Sequence, residues 1–149
     1  MRFSSWHPLP ASRLELEITE AVLLEDNGIT LGILHELRNL GVLISMDDFG
    51  TGYSSLGYLR SFPFDKIKID RSFVRDIAKR ADAMAIVRAV TGLGRSLGIP
   101  TTAEGVETSE QALMLQTEGC TEVQGFYFNE PRPANEVEAM LEGKIKLVS

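Results

Sequence analysis

A short unit that recurs three times limits the folds open to this chain. In each copy an amphipathic stretch ends at a glycine, continues into a short extended segment and stops at a polar residue; the copies are NLGVLISMDD, SLGIPTTAE and EGCTEVQ. Because a glycine adopts the left-handed backbone at a helix end, Gly41, Gly98 and Gly119 predict three helix ends. RLELEITE and FDKIKID add two further strands. The pattern predicts an α/β protein with about five parallel strands alternating with helices.

The composition narrows the classes of function. The 149 residues are 44% hydrophobic and 24% charged, which is typical of one soluble folded domain. A net charge of −6 without a basic block argues against general binding to polymeric nucleic acid. The chain has no apolar run long enough for membrane insertion, no signal-peptide core at its start, and a single cysteine. We therefore expect a cytoplasmic protein without an internal disulfide.

Polar side chains stand at the end of every predicted strand. In strand order they are Glu17 or Glu20, Asp47 and Asp48, Lys68 and Asp70, Glu104 and Glu107, and Gln124. The carboxyl ends of parallel strands lie on one side of the sheet, where α/β proteins bind ligands. One such residue is more often the N-cap of the next helix, but a series over five strands is hard to explain in that way. Acidic groups converging with one lysine suit hard cations and two-metal phosphoryl chemistry.

Five motifs give the chain a resemblance to a known family. LELEITE, DDFGTGYSSL, DKIKIDRSFV, AEGVET and VQGFYFNEPRP resemble, in order and spacing, the motifs of the EAL family of bacterial cyclic di-GMP phosphodiesterases. The resemblance runs from about Leu14 to near the C-terminus. It implies a (β/α) barrel of eight strands in which two Mg²⁺ or Mn²⁺ ions activate a water that hydrolyses cyclic di-GMP to linear pGpG.

The resemblance also implies roles for individual residues. Glu17 resembles a ligand of the first ion, and Glu104 resembles the ligand that completes the second. Asp47 would bridge both ions, and Asp48 would bind the second. Lys68 resembles the lysine that holds the nucleophilic water. An ammonium among carboxylates stays protonated, so an electrostatic role suits Lys68 better than the role of a base.

Three further positions resemble residues that support the family's site. Gln124 matches a catalytic-site glutamine that orients the hydrated metal ions. Glu107 matches a carboxylate outside the ligand set, although a charge at the start of the following helix explains this residue equally well. Glu20 resembles the residue that anchors the loop after Asp48, in which Gly50 and Gly52 permit backbone movement.

The sequence departs from the family pattern at its start. The family begins with a strand-borne Glu-Ala-Leu motif and a later asparagine, and only thirteen residues precede Leu14 here. We therefore expect residues 1–13 to form a short leader. We expect residues 14–149 to form a truncated EAL-type domain, a partial (β/α) TIM-like barrel that lacks about three N-terminal strands.

Three functions stay open on this sequence. The first metal would keep only Glu17 and Asp47, so an enzyme would be weak or inactive alone and would need a partner or a second copy. A non-catalytic module would bind metal or cyclic di-GMP without turnover. An interaction protein would retain the motifs after losing the chemistry. The unclosed barrel edges favour self-association or pairing with another barrel or signalling protein.

Overall fold

Short strands and helices follow one another along the part of the chain that the structure describes. In a computed structural model, the described residues are 9–19, 21–22, 27–51, 59, 62 and 64–141. A single turn of 3-10 helix at Ala11–Arg13 precedes the first strand. The strands of this part are β1 (Glu15–Thr19), β2 (Leu43–Phe49), β3 (Lys66–Ile69), β4 (Thr101–Ala103) and β5 (Glu122–Val123). Its α-helices are α1 (Asn27–Asn39), α2 (Arg71–Asp76), α3 (Ala81–Leu97), α4 (Ser109–Thr117) and α5 (Ala134–Leu141).

The five strands form one sheet in sequence order, β1-β2-β3-β4-β5. Every neighbouring pair is parallel. Parallel strands that follow one another in both space and sequence, with helices between β1 and β2, between β3 and β4, and between β4 and β5, have the arrangement of a (β/α) barrel. The predicted fold class is therefore confirmed: the described residues form a five-stranded partial barrel.

The hydrophobic core lies between the sheet and the helices. Ile44, Ile67 and Ile69 are fully buried and point from β2 and β3 toward the helices. Val87 and Val90 of α3 meet them, as expected from the helical period of that segment. Burying one such side chain stabilises the fold by about 1.5–3 kcal/mol, so this layer fixes the direction of the alternate side chains on the strands. Residues at every second position of β1, β2 and β3 are consequently directed to the opposite, concave face.

Helix ends follow the predicted signals. Gly98 ends α3 with φ of +70°, a backbone conformation that is strained for any side-chain-bearing residue. Gly41 and Gly119 also have positive φ angles, so the three predicted helix ends are confirmed. At the start of α4, the Thr108 hydroxyl accepts from the Gln111 amide while the Gln111 side chain accepts from the Thr108 amide. None of the helices in the described ranges is long and apolar enough to cross a membrane.

The register between β2 and β3 is interrupted where the two aspartates lie. Met46 pairs with Ile67 and Phe49 with Ile69, so β2 uses one more residue than β3 over the same distance. Asp48 has φ of +55°, which is uncommon for a residue other than glycine. An extra residue of this kind changes the direction of the strand's side chains. Because of this irregularity, the side chains of two consecutive residues, Asp47 and Asp48, both lie at the carboxyl end of the sheet.

Candidate functional site

Lys68 stands at the centre of the candidate site. It alternates along β3 with Ile67 and Ile69, which are buried on the helix side, so its side chain is directed to the concave face. The residue is only 4% exposed. A buried ammonium is unfavourable unless it is paired and hydrogen-bonded, so its partners determine whether this position is tolerated.

Carboxylates from three neighbouring strands or strand ends surround the Lys68 ammonium. Glu17 Oε1, from β1, lies 2.5 Å from Lys68 Nζ. Glu104 Oε1, just after β4, contacts the same nitrogen. Asp47 Oδ1, from β2, lies 3.6 Å away. Three of the four predicted metal ligands therefore meet at one point, and the positive charge that joins them belongs to the chain itself.

The protonation of Lys68 follows from these contacts. Burial alone lowers the pKa of Lys68, but the hydrogen bonds to Glu104 and Glu17 and the nearby negative charges outweigh burial, and the net pKa is raised above the ordinary lysine value. The side chain is therefore an ammonium at neutral pH. This agrees with the expected electrostatic role and excludes Lys68 as a general base in this arrangement.

Asp48 is directed to a different partner from Asp47. Its carboxyl group lies next to that of Asp70, which caps α2 by accepting from the Ser72 amide at 3.0 Å. Burial, followed by repulsion from Asp47 and Asp70, raises the pKa of Asp48. Burial alone would raise the pKa of Asp70, but the hydrogen bonds that the Ser72 hydroxyl and amide donate to its carboxylate outweigh burial and lower that pKa. The two neighbouring carboxyl groups therefore have pKa values shifted in opposite directions.

Whether a divalent cation suits the site depends on both the donors and their positions. Asp47 Oδ1 is buried and accepts no hydrogen bond from the part of the chain that the structure describes. A buried carboxylate oxygen that accepts no hydrogen bond and lies among other carboxylates has the chemistry that Mg²⁺ and Mn²⁺ prefer. However, no group of three or more His, Cys, Asp or Glu side chains within the described ranges is arranged to hold a metal ion. The carboxylate oxygens are therefore of the kind that binds a divalent cation, but their positions in this structure are determined by their contacts with the Lys68 ammonium.

A second group of charged residues lies on the concave face, two positions before the Lys68 level of each strand. This lower tier consists of Glu15, Lys66 and Glu122. Lys66 Nζ lies 3.1 Å from Glu15 Oε2 of β1 and 3.0 Å from Glu122 Oε2 of β5. The Thr102 hydroxyl donates to the same Glu122 oxygen at 2.9 Å. Sequence reasoning missed this tier, although a signal was present. Glu15 and Lys66 each precede a predicted site residue by two positions, which places them on the same face of their strands.

Two predicted site residues, Glu107 and Gln124, lie apart from the Lys68 cluster. Glu107 is exposed and lines a cleft of about 540 Å³ with Asp70 and Arg71. Gln124 is exposed after β5, where its backbone amide donates to Ala103 and its carbonyl accepts from Val106. Neither side chain hydrogen-bonds to the cluster within the described contacts. Glu20 and most of the loop after Thr51 lie outside the described residues, so the anchoring role stays a prediction.

Comparison with known proteins identifies the family. Residues 2–131 match the model of the EAL domain. MucR of Pseudomonas aeruginosa, a bifunctional diguanylate cyclase/cyclic di-GMP phosphodiesterase, is 47% identical over 133 residues, which are 89% of this chain and 19% of MucR. The chain spans about a fifth of the length of the curated relatives it matches.

Solved structures give the same assignment. The cyclic di-GMP complex of the Pseudomonas aeruginosa MucR phosphodiesterase matches with a TM-score of 0.83 at 46% identity, covering 87% of this chain and 52% of that chain. The manganese and cyclic di-GMP complex of BlrP1 from Klebsiella pneumoniae matches with a TM-score of 0.77 at 40% identity, covering 83% of this chain and 31% of that chain. Taken together, the fold, the strand-end carboxylates and these matches show that the chain belongs to the EAL domain family.

Proposed function

We propose that this chain carries the metal-binding and water-orienting half of a cyclic di-GMP phosphodiesterase site. The observation that carries the proposal is the convergence of Glu17, Asp47 and Glu104 on one buried lysine at the carboxyl ends of the strands. Relatives named as cyclic di-GMP phosphodiesterases, and the manganese and cyclic di-GMP complex of BlrP1, support the choice of reaction and of metal.

The proposed role of each residue follows from its position in the site. Glu17, Asp47, Asp48 and Glu104 would hold Mg²⁺ or Mn²⁺, which would supply Lewis-acid activation of a water and neutralise charge on the phosphodiester. Lys68, held as an ammonium among these carboxylates, would orient the attacking water and offset the negative charge of the site. Gln124 and Glu107 would act from positions beside the same strand ends, and Glu20 would anchor the loop that follows Asp48.

We propose further that the isolated chain turns over slowly. By the ligand roles that the resemblance implies, Glu17 and Asp47 would bind the first ion without the ligands of a Glu-Ala-Leu strand, and hydrolysis by two metals needs both ions to be placed. Losing one Lewis acid removes several kcal/mol of transition-state stabilisation, which corresponds to a rate lower by roughly a thousandfold or more at about 1.4 kcal/mol per decade.

Chromatographic separation of cyclic di-GMP from pGpG tests the proposal. With Mn²⁺ present we expect a trace of pGpG from the chain alone and none from Asp47→Asn. A separate fragment carrying a Glu-Ala-Leu strand should raise the rate, and Glu17→Ala should abolish that increase. Robust turnover by the chain alone, lost in Asp47→Asn, would contradict the proposed weakness. Turnover that is equal in both chains would contradict the assignment of the site.

A second candidate function is a non-catalytic module that binds cyclic di-GMP or metal. The observation in its favour is that the described carboxylates pair with Lys68 and form no metal-ready group of three. Such a module would bind cyclic di-GMP in equilibrium dialysis and release it unchanged. The two candidates therefore differ in whether pGpG appears over long incubation in the same sample.

The partners follow from the same proposal. We propose a cytoplasmic chain that associates with a second copy or with another barrel or signalling protein. In support, β1 and β5 are the outer strands of the described sheet, and Leu113, Phe126 and Phe128 are exposed near β5. Light scattering during gel filtration should give a mass of at least two chains. A stable monomer at micromolar concentration would contradict self-association.

A further inference from the structure

Lys66 connects the two outer strands of the described sheet through its side chain. Its ammonium contacts Glu15 of β1 on one side and Glu122 of β5 on the other, although β1 and β5 are the first and last strands in the sheet order. Bringing both strands to one atom on β3 requires the sheet to curve around the concave face, as a (β/α) barrel does. Within the described contacts, no other side-chain atom bonds to both of these strands.

The strand that needs this connection most is β5. It pairs with β4 through Thr102↔Glu122 and Ala103↔Val123 only, so its backbone ladder is short. The Glu122 carboxylate adds a hydrogen bond from Thr102 and the ion pair with Lys66. Hydrogen bonding to Lys66 lowers the pKa of Glu122, so this carboxylate is ionised and the pair is charge-assisted at neutral pH.

Each strand held by Lys66 carries a predicted site residue two positions further on. Glu17 follows Glu15 on β1, Lys68 follows Lys66 on β3, and Gln124 follows Glu122 directly after the end of β5. Alternate residues share a face, so a shift of the lower tier is transmitted to the tier above it by about two residues of rigid strand, or roughly 6–7 Å.

We propose that Lys66 is a positioning residue that holds β1 and β5 against β3 and so sets the place of Glu17 beside Lys68 and of Gln124 at the end of β5. The proposal rests on the proposed function for what the upper tier does, but its geometric part concerns the metal-free chain. Residues that orient metal ligands without touching the metal usually contribute about 10–100-fold to affinity.

Two effects of removing the Lys66 ammonium, loss of its charge and loss of its positioning role, predict opposite changes in Mn²⁺ affinity. Removing the Lys66 ammonium takes a positive charge away from a neighbouring cluster of carboxylates, and by Coulomb's law this alone would strengthen binding of a cation. Loss of positioning would weaken binding, because Glu17 would no longer be fixed next to Lys68. The sign of the change in Mn²⁺ affinity therefore separates the two.

The first experiment uses the metal-free chain. Acetylation of Lys68 by acetic anhydride, followed by mass spectrometry, reports how well its ammonium is held. We expect labelling of Lys68 to be several-fold faster in Lys66→Met than in wild type and unchanged in Lys79→Met, which makes the same substitution at an exposed turn. Val90→Ala in the core controls for loss of stability. Labelling that is unchanged in Lys66→Met, or accelerated only as much as in a core variant of equal stability, would overturn the proposal.

The second experiment titrates Mn²⁺ into the same variants. We expect affinity to fall by about tenfold or more in Lys66→Met, to stay unchanged in Lys79→Met and to recover partly in Lys66→Arg, whose guanidinium can bridge two carboxylates. Equal or tighter binding by Lys66→Met would overturn the positioning role. If wild type binds no Mn²⁺, the proposed function fails, and the labelling experiment still decides the role of Lys66. Glu122→Gln provides a milder variant if Lys66→Met does not fold.

Discussion

Replacing Lys68 by methionine is the sharpest perturbation of the candidate site in the metal-free chain. Methionine keeps most of the side-chain length and volume, so the change removes the charge and the hydrogen bonds with little cavity. Glu17, Asp47 and Glu104 would then face one another without their shared cation. We expect the chain to lose stability at neutral pH because three carboxylates lose the ammonium that offsets their repulsion.

The size of the loss follows from the exposure of the partners. Removing one member of a fully buried ion pair typically costs about 3–5 kcal/mol, whereas an exposed pair contributes about 0.2–1 kcal/mol. Lys68 is buried, but the side chain of Glu17 is 50% exposed and those of Asp47 and Glu104 are 22% exposed. Water therefore screens part of the repulsion. We expect a decrease of about 1–3 kcal/mol in the free energy of unfolding.

Urea denaturation followed by circular dichroism measures this difference, with Lys79→Met as the matched charge control. Because the folded pKa of Lys68 is raised, its contribution is fully present below the ordinary lysine value of 10.5 and is lost as pH rises through the folded value. The difference in free energy of unfolding between wild type and Lys68→Met should therefore stay constant from neutral pH up to about the ordinary lysine value of 10.5 and shrink at higher pH. A Lys68→Met chain within about 0.5 kcal/mol of wild type at pH 7 would refute the reasoning, since that is the range of ordinary surface substitutions.

Two further predictions concern backbone strain and helix capping. Asp48→Gly should stabilise the metal-free chain by roughly 1 kcal/mol in urea denaturation, because φ of +55° is strained for aspartate and repulsion from Asp47 and Asp70 is removed; lower stability would contradict this. Thr108→Ala should reduce the free energy of unfolding by about 1 kcal/mol through loss of the reciprocal cap with Gln111, while Thr108→Ser should retain most of it. Equal stability of the two Thr108 variants would show that the cap contributes little.

The order and direction of the strands could be predicted from local chemistry. Glycines at helix ends and alternation of residue types along short segments are properties of the chain itself, and they locate the strand ends without knowledge of distant contacts. The convergence of Glu17, Asp47 and Glu104 follows directly, since parallel strands expose their carboxyl ends on one side.

The details of the site depend on contacts that the sequence does not encode locally. The left-handed backbone of Asp48 arises from the extra residue of β2 opposite β3, and nothing in the letters DDF distinguishes it from a regular strand end. The exposed positions of Gln124 and Glu107 depend on how far the short strand β5 and the turn before α4 extend. The lower tier around Lys66 could have been found from i, i+2 spacing, but its partner Glu122 lies on the last strand, 56 positions away.

A Mn²⁺ titration followed by the electron paramagnetic resonance signal of the free ion decides whether the strand-end carboxylates around Lys68 form a divalent-cation site. We expect wild type to deplete the free-ion signal, and the Asp47→Ala, Asp48→Ala double variant to leave it at the level of buffer. Glu110→Gln, which removes an exposed carboxylate from the first turn of α4, should behave as wild type. Depletion by the double variant equal to that of wild type would contradict the assignment of the site.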